Sequence, residues 1–224
     1  MSQLILGIDD AGRGPLIGPM ILAGVLLDKN GEVALKKNNV RDSKIVSHPI
    51  RIKLAEIIKE TALNYHITKT SPEQIDKSIT SRINLNTLEA IKTAEIINEL
   101  NNKKEKIKVI IDCPSVNIKA WRSKLLEFIE HKENLEVICE HKADANHVSV
   151  SAASILAKVA REEEIEKLKK QYGNFGSGYP ADPITKSFLK SSGSKLKDSG
   201  LFRKSWQTWK VLFPNKNQTK LTNF

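Results

Sequence analysis

Short apolar runs and helix-period stripes divide the chain into strands that cluster early and alternate with helices later. Residues 4–9 form an apolar run that meets Asp10-Ala11-Gly12-Arg13-Gly14-Pro15, and residues 20–28 form a second, with turn chemistry at Lys29-Asn30-Gly31. Residues 48–63 place Ile52, Leu54, Ala55, Ile57, Ile58 and Ala62 on a helical stripe, and residues 65–70 alternate as a third strand. Ser71-Pro72-Glu73 opens a short helix by the N-cap and proline-first rules. A longer helix at 86–100 carries Leu88, Ile91, Ala94, Ile97 and Leu100 on one face. Residues 108–112 and 135–140 read as strands, 116–129 as a helix, and 150–172 as the longest helix, stopped by Gly173. A last helix spans 183–190, with Asp182 as N-cap and Pro183 at its first position, which leaves Asp182 no chemistry.

This order predicts an α/β fold: a mixed sheet covered by helices, antiparallel among the early strands and parallel among the later ones. Residues 1–172 are expected to form the main domain, 173–213 a loop and helical segment that contacts nucleic acid, and 214–224 a flexible tail.

Composition narrows the function. The chain has 224 residues, 40% hydrophobic and 28% charged, as expected of a folded globular protein. Its formal net charge of +10 favours an anionic partner, nucleic acid before membrane. Eight basic residues against one acidic residue follow position 189, so much of the surplus is C-terminal. No run approaches the length of a membrane span, and Asp9 and Asp10 come too early for a signal peptide. Cys113 and Cys139 match no metal-ligand spacing and are expected as free thiols, so the protein is read as cytoplasmic.

Acids recur at the ends of apolar strands: Asp9 and Asp10 after the first, Asp112 after Val109-Ile110-Ile111, and Asp144 shortly after Val137-Ile138. Ligand crevices form at strand ends in open α/β sheets. Clustered carboxylates repel unless cations lie among them, and oxygen-only ligands point to Mg²⁺ or Mn²⁺. Two such ions can hold the attacking water and leaving oxygen of a phosphodiester in line. Each acid also has a plainer reading, Asp112 as a turn former and Asp144 as a cap of the long helix. Gly12-Arg13-Gly14 lets backbone approach a ligand closely, lacks the dinucleotide-fingerprint spacing, and offers Arg13 to a phosphate. Tyr179, in Gly176-Ser177-Gly178-Tyr179-Pro180, can stack on a sugar or base, or pack on the core. Lys44, Arg203, Lys204, Trp206 and Trp209 are contact candidates, although a solvated basic face accounts for most, and the two tryptophans are expected to pack inward. His147 reads first as a helix-start residue and second as a proton-transfer group.

Taken together, Gly7-Ile8-Asp9-Asp10-Ala11-Gly12-Arg13-Gly14-Pro15 resembles the opening motif of type 2 ribonuclease H, also called ribonuclease HII. Arg41-Asp42-Ser43-Lys44 is similar to that family's Asp-Ser-Lys element, and Lys142-Ala143-Asp144 with 150–158 to its fourth-carboxylate block. Residues 176–183 and Arg203-Lys204-Ser205-Trp206 complete the series in family order, in a short C-terminal style that looks archaeal. The resemblance implies an RNase H-like five-stranded sheet flanked by helices, with a small helical C-terminal segment. It implies a monomeric endonuclease that hydrolyses the RNA strand of RNA/DNA hybrids and cuts 5′ of single ribonucleotides in duplex DNA, leaving 3′-hydroxyl and 5′-phosphate ends.

By motif, Asp9, Asp10, Asp112 and Asp144 match the metal-binding carboxylates, and Gly12, Arg13 and Gly14 the element that senses the 2′-hydroxyl. Tyr179 matches the tyrosine that stacks on the adjoining deoxyribose, and Lys44, with Ser43 beside it, a phosphate contact. Aspartate at position 10 departs from the family's usual glutamate: it keeps the charge, shortens the reach by one methylene, and makes an altered metal preference or rate plausible. Gln218, Leu221 and Phe224 are spaced like a clamp-binding peptide, so a sliding clamp is a second partner class. Two alternatives stand: a non-catalytic nucleic-acid-binding protein of the same fold, for which Asp10 speaks, and another metal-dependent nuclease of the superfamily.

Overall fold

The computed structural model describes residues 3–40 and 47–214. Its strands are β1 (Leu4–Ala11), β2 (Met20–Leu27), β3 (Asn64–Thr70), β4 (Ile107–Asp112) and β5 (Leu135–Glu140). The helices are α1 (Lys29–Lys37), α2 (His48–Thr61), α3 (Pro72–Thr80), α4 (Leu85–Leu100), α5 (Ile118–Phe128), α6 (Ala143–Asn146), α7 (Val148–Tyr172), α8 (Pro183–Ser192) and α9 (Gln207–Leu212). The strands form one sheet in the order β3-β2-β1-β4-β5. β2 is antiparallel to both neighbours, whereas β1, β4 and β5 run parallel. The expected mixed sheet is present.

Alternation along each strand sends side chains to two different cores. Leu4, Leu6 and Ile8 of β1, with Val109 and Ile111 of β4, pack against α4 and α5 through Leu88, Ile97, Trp121 and Leu125. On the other face, Ile21, Ala23 and Val25 of β2 meet α2 and the small-residue start of α7, Ala152, Ala153 and Ile155. That run lets α7 lie directly on the sheet. At Gly7 of β1 a Cβ would overlap the backbone of Ser149 and Val150, so this crossing requires glycine.

A third core holds the chain after Gly173 together. Phe175, Phe188, Phe202 and Trp209 touch in sequence, the first pair edge to face, with centroids 5.8, 6.4 and 4.8 Å apart, and pack with Leu16 and Ile17 from the loop after β1. Ile17 also forms a β-bridge with Phe202. The C-terminal segment is thereby packed onto the loop carrying Gly12-Arg13-Gly14.

Two local readings change. Lys29-Asn30-Gly31 is the first turn of α1: Asp28 caps it by accepting from the Gly31 amide at 2.7 Å, and Leu35 is buried beneath. Asp144 follows β5 by way of a four-residue helix, α6, entered through Lys142 in the left-handed region at φ 59°. No described helix is long and apolar enough to cross a membrane. Both cysteines are free and buried, and burial pushes the Cys139 thiol up to about 12.

Candidate active site

Strand register brings the first two acids together. Ile8 of β1 pairs with Ile111 of β4, so Asp9 and Asp112 are the next residues on adjacent parallel strands. Both belong to the face covered by α6 and α7, since Ile110 packs with Ala143 and Val150. α6 supplies the third acid. Its Ala143 amide donates to Asp112 Oδ1 at 3.2 Å, anchoring the helix so that Asp144 comes in beside the strands. One carboxylate oxygen each from Asp9, Asp112 and Asp144 lies within 4.8 Å of the others.

Asp10 falls outside this trio. One residue further along β1, it belongs to the opposite face, where the charge of Glu89 of α4 acts on it. Its electrostatic neighbours also include Arg13, Asp112 and Lys158, so it lies at the rim of the cluster.

Burial and crowding set the electrostatics. Asp9, 7% exposed, is raised to about 8, first by desolvation and then by the charge of Asp10; hydrogen bonds from the Ser154 hydroxyl and Asp10 amide oppose this only in part. Asp10 is raised as well, by burial and then by Glu89. A hard dication among three carboxylates would remove the repulsion, and the all-oxygen donor set fits Mg²⁺ or Mn²⁺. One consequence is measurable. Because the folded state holds a proton on Asp9 that the unfolded chain releases near 3.8, the metal-free protein should lose stability as pH rises from about 4 to about 8. In chelator, its melting temperature should be lower at pH 8 than at pH 5, and Asp9→Asn should shrink the difference; equal differences in both proteins would contradict the assignment.

Beside the acids, Gly12 turns the chain at φ 83°. The turn, Lys158, Arg161 and Tyr179 surround a cleft of about 250 Å³ that reaches Asp10. Tyr179 is 43% exposed, so it is not packed into the core, and its ring sits over Gly14, 3.4 Å from where a Cβ would be. Arg161 lies over that ring, 5.7 Å from the centroid. The loop holding Tyr179 is tied by Asp182, which accepts from Ser177 and caps α8 through the Ile184 amide; these bonds draw its carboxyl down to about 2.

Several contact candidates serve the fold instead. Arg13 donates from Nε to both oxygens of buried Glu89 at 2.9 Å and from Nη2 to Asn86, so its side chain is held by α4. Arg203 is fully buried and donates to main-chain oxygens of the loop after β1, which corrects its reading as a nucleic-acid contact. The Lys204 ammonium pairs with Asp198. Trp209 is buried, and Trp206 is partly buried and bonded to the Gly14 carbonyl. His147 is the residue before α7, 2.6 Å from Glu140, as a helix-start residue would be. Ser43 and Lys44 lie outside the described residues. Glu89 and Asn86 were hidden by periodicity: the expected stripe used Ile91, whereas α4 buries a wider face that takes in Glu89, Ala90 and Thr93.

The comparisons with known proteins agree with this geometry. The family model described as Ribonuclease HII matches residues 6–209. Ribonuclease HII of Thermococcus sibiricus is 41% identical over 226 residues, covering 97% of this chain and 96% of that one. The crystal structure of ribonuclease H2 from Pyrococcus horikoshii OT3 superposes with a TM-score of 0.84 at 37% identity, covering 94% of this chain and 97% of that one. A structure of the PCNA:RNase HII complex from Archaeoglobus fulgidus gives 0.80 at 36% identity, with 99% and 100% coverage. Parallel strand ends carrying three convergent acids, a glycine turn under an exposed tyrosine and near-full-length likeness lead to one assignment: the chain belongs to the ribonuclease HII family and is a type 2 ribonuclease H, an endonuclease acting on RNA/DNA.

Proposed function

We propose that this chain hydrolyses the RNA strand of RNA/DNA hybrids and cuts on the 5′ side of single ribonucleotides embedded in duplex DNA, leaving a 3′-hydroxyl and a 5′-phosphate. The observation that carries this reading is the placement of the Asp9, Asp112 and Asp144 carboxylates beside a cleft lined by Gly12, Arg13, Gly14 and Tyr179. Convergent acids and a backbone surface able to test a sugar thus share one end of the sheet. The 2′-hydroxyl distinguishes RNA from DNA there, and backbone groups of a glycine turn approach a sugar more closely than side chains can.

Asp9, Asp112 and Asp144 hold two divalent ions, Mg²⁺ or Mn²⁺, with Asp10 contributing from the rim. When bound, these ions supply activation of the attacking water and charge neutralisation at the departing 3′-oxygen. Asp112 is fixed for this by the Ala143 amide, and Ser154 orients Asp9. Tyr179 stacks on the deoxyribose next to the ribonucleotide, with Ser43 and Lys44 contacting a phosphate. Residues 173–213 support the recognition turn. The +10 charge recruits the duplex by counterion release. The Archaeoglobus fulgidus relative was solved with PCNA, which supports a clamp-binding role for Gln218, Leu221 and Phe224; these lie outside the described residues.

The test is cleavage of three duplexes, one with a single ribonucleotide, one an RNA/DNA hybrid and one all DNA, across Mg²⁺ and Mn²⁺. Equal rates on all three would end the proposal. Tyr179→Ala should lower cutting at the single ribonucleotide by about tenfold or more, as expected for one lost stacking contact, and spare the long hybrid, where neighbouring registers compensate. Equal losses on both substrates would remove the stacking role.

A further inference from the structure

The carbonyl oxygens of the Gly12-Arg13-Gly14 turn are all taken by two side chains from the far end of the chain. Arg203 donates from Nη2 to Gly12 O at 2.5 Å and from Nη1 to Arg13 O at 2.7 Å, while Trp206 Nε1 donates to Gly14 O at 3.1 Å. Arg203 closes the loop further by donating from Nε and Nη2 to Gly18 O at 3.1 and 3.0 Å. These are the hydrogen bonds of a fully buried guanidinium, and each goes to main chain.

The two clamping residues are themselves fixed. The guanidinium lies 5.0 Å from the Trp206 ring centroid. Between them, Asp76 of α3 accepts from the Lys204 and Ser205 amides at 2.7 and 2.9 Å. From the other side, Glu89 and Asn86 hold the Arg13 side chain.

We infer that Arg203 and Trp206 are positioning residues for ribose recognition, holding the turn with its carbonyls inward so that the Arg13 and Gly14 amides are presented to the substrate sugar. In a trans peptide the C=O and N–H of one unit point in opposite directions, and the described chain has no cis peptide. Drawing Gly12 O and Arg13 O toward Arg203 therefore sends the Arg13 and Gly14 N–H groups the other way. The charge at those oxygens also polarises the two peptide units and strengthens their amides as donors. Pro15, next in the chain, has no N–H, so the donor pair ends at Gly14.

The inference rests on the ribonucleotide reading above, and one variant set separates the two. Trp206→Phe keeps the ring and removes only the donor. It should lower kcat/KM on a single-ribonucleotide duplex by about tenfold, the effect of one hydrogen bond that sets geometry. Inhibition by an all-DNA duplex should stay within about twofold and the melting temperature within roughly 2 °C, since neither depends on the turn's amides. Arg203→Lys, which keeps the charge but loses the planar fork, should lose more on the same substrate. The backbone amide order parameters of Arg13 and Gly14 should fall in Trp206→Phe without nucleic acid present. Unchanged order parameters with wild-type cleavage overturn the inference, as does an equal loss of all-DNA binding. If the wild-type protein ignores single ribonucleotides, the functional reading fails, and the order parameters still decide whether the clamp exists.

Discussion

Asp112→Asn should abolish hydrolysis of a ribonucleotide-containing duplex, lowering the rate by at least about 10³-fold, while the metal-free protein melts no earlier than wild type. The rate follows from position. Asp112 is at the end of β4 next to Asp9, its oxygen is one of three within 4.8 Å, and a metal clamp on a phosphodiester contributes several kcal/mol to the transition state. The stability follows from charge. Asp112 is among the groups that raise Asp9, so neutralising it relieves repulsion, and asparagine keeps an oxygen for the Ala143 amide. Product accumulation under single-turnover conditions with Mn²⁺, and thermal melts in chelator, check the two halves. Residual cutting within tenfold of wild type would show that Asp112 is not a metal ligand.

Gly7→Ala should be the most damaging single methyl in the molecule. Its Cβ would overlap the carbonyl of Ser149 and the amide of Val150, backbone atoms that have no rotamer through which to move away. Either β1 or α7 must shift. The cost belongs at the upper end for overpacking, about 3 kcal/mol, which for a chain of this size lowers the melting temperature by roughly 6–12 °C. Activity should fall further than stability accounts for, because α7 also carries Ser154, which hydrogen-bonds Asp9, and Lys158 beside Asp10. A melting temperature within about 2 °C of wild type would mean that α7 rides over β1 with more space than described.

The sheet was legible because its strands are apolar runs ended by acids or turn residues, and period 2 leaves little room for another assignment. The long helix was legible from its small-residue start and from Gly173. α1 was not, since Lys29-Asn30-Gly31 has the composition of a turn, and only the cap from Asp28 and burial of Leu35 make it helical. The acids could be picked out one by one, but alternation across the pleat decides which of them meet: neighbours in sequence, Asp9 and Asp10, go to opposite faces, while Asp9 and Asp112, about a hundred residues apart, share one. Arg203 was misjudged because a basic residue in a basic segment gives no sign of being buried; its partners are carbonyls, which every sequence supplies everywhere.

The bonds from Arg203 and Trp206 reach back across some 190 residues. During synthesis, all three acids are present once α6 has been made, but the side chains that hold the turn beside them come only with the last part of the chain. Bringing such distant partners together adds little entropy beyond that of a shorter loop, so the delay is one of order rather than of cost. A chain halted before residue 203 would carry the three carboxylates without the side chains that hold the turn beside them.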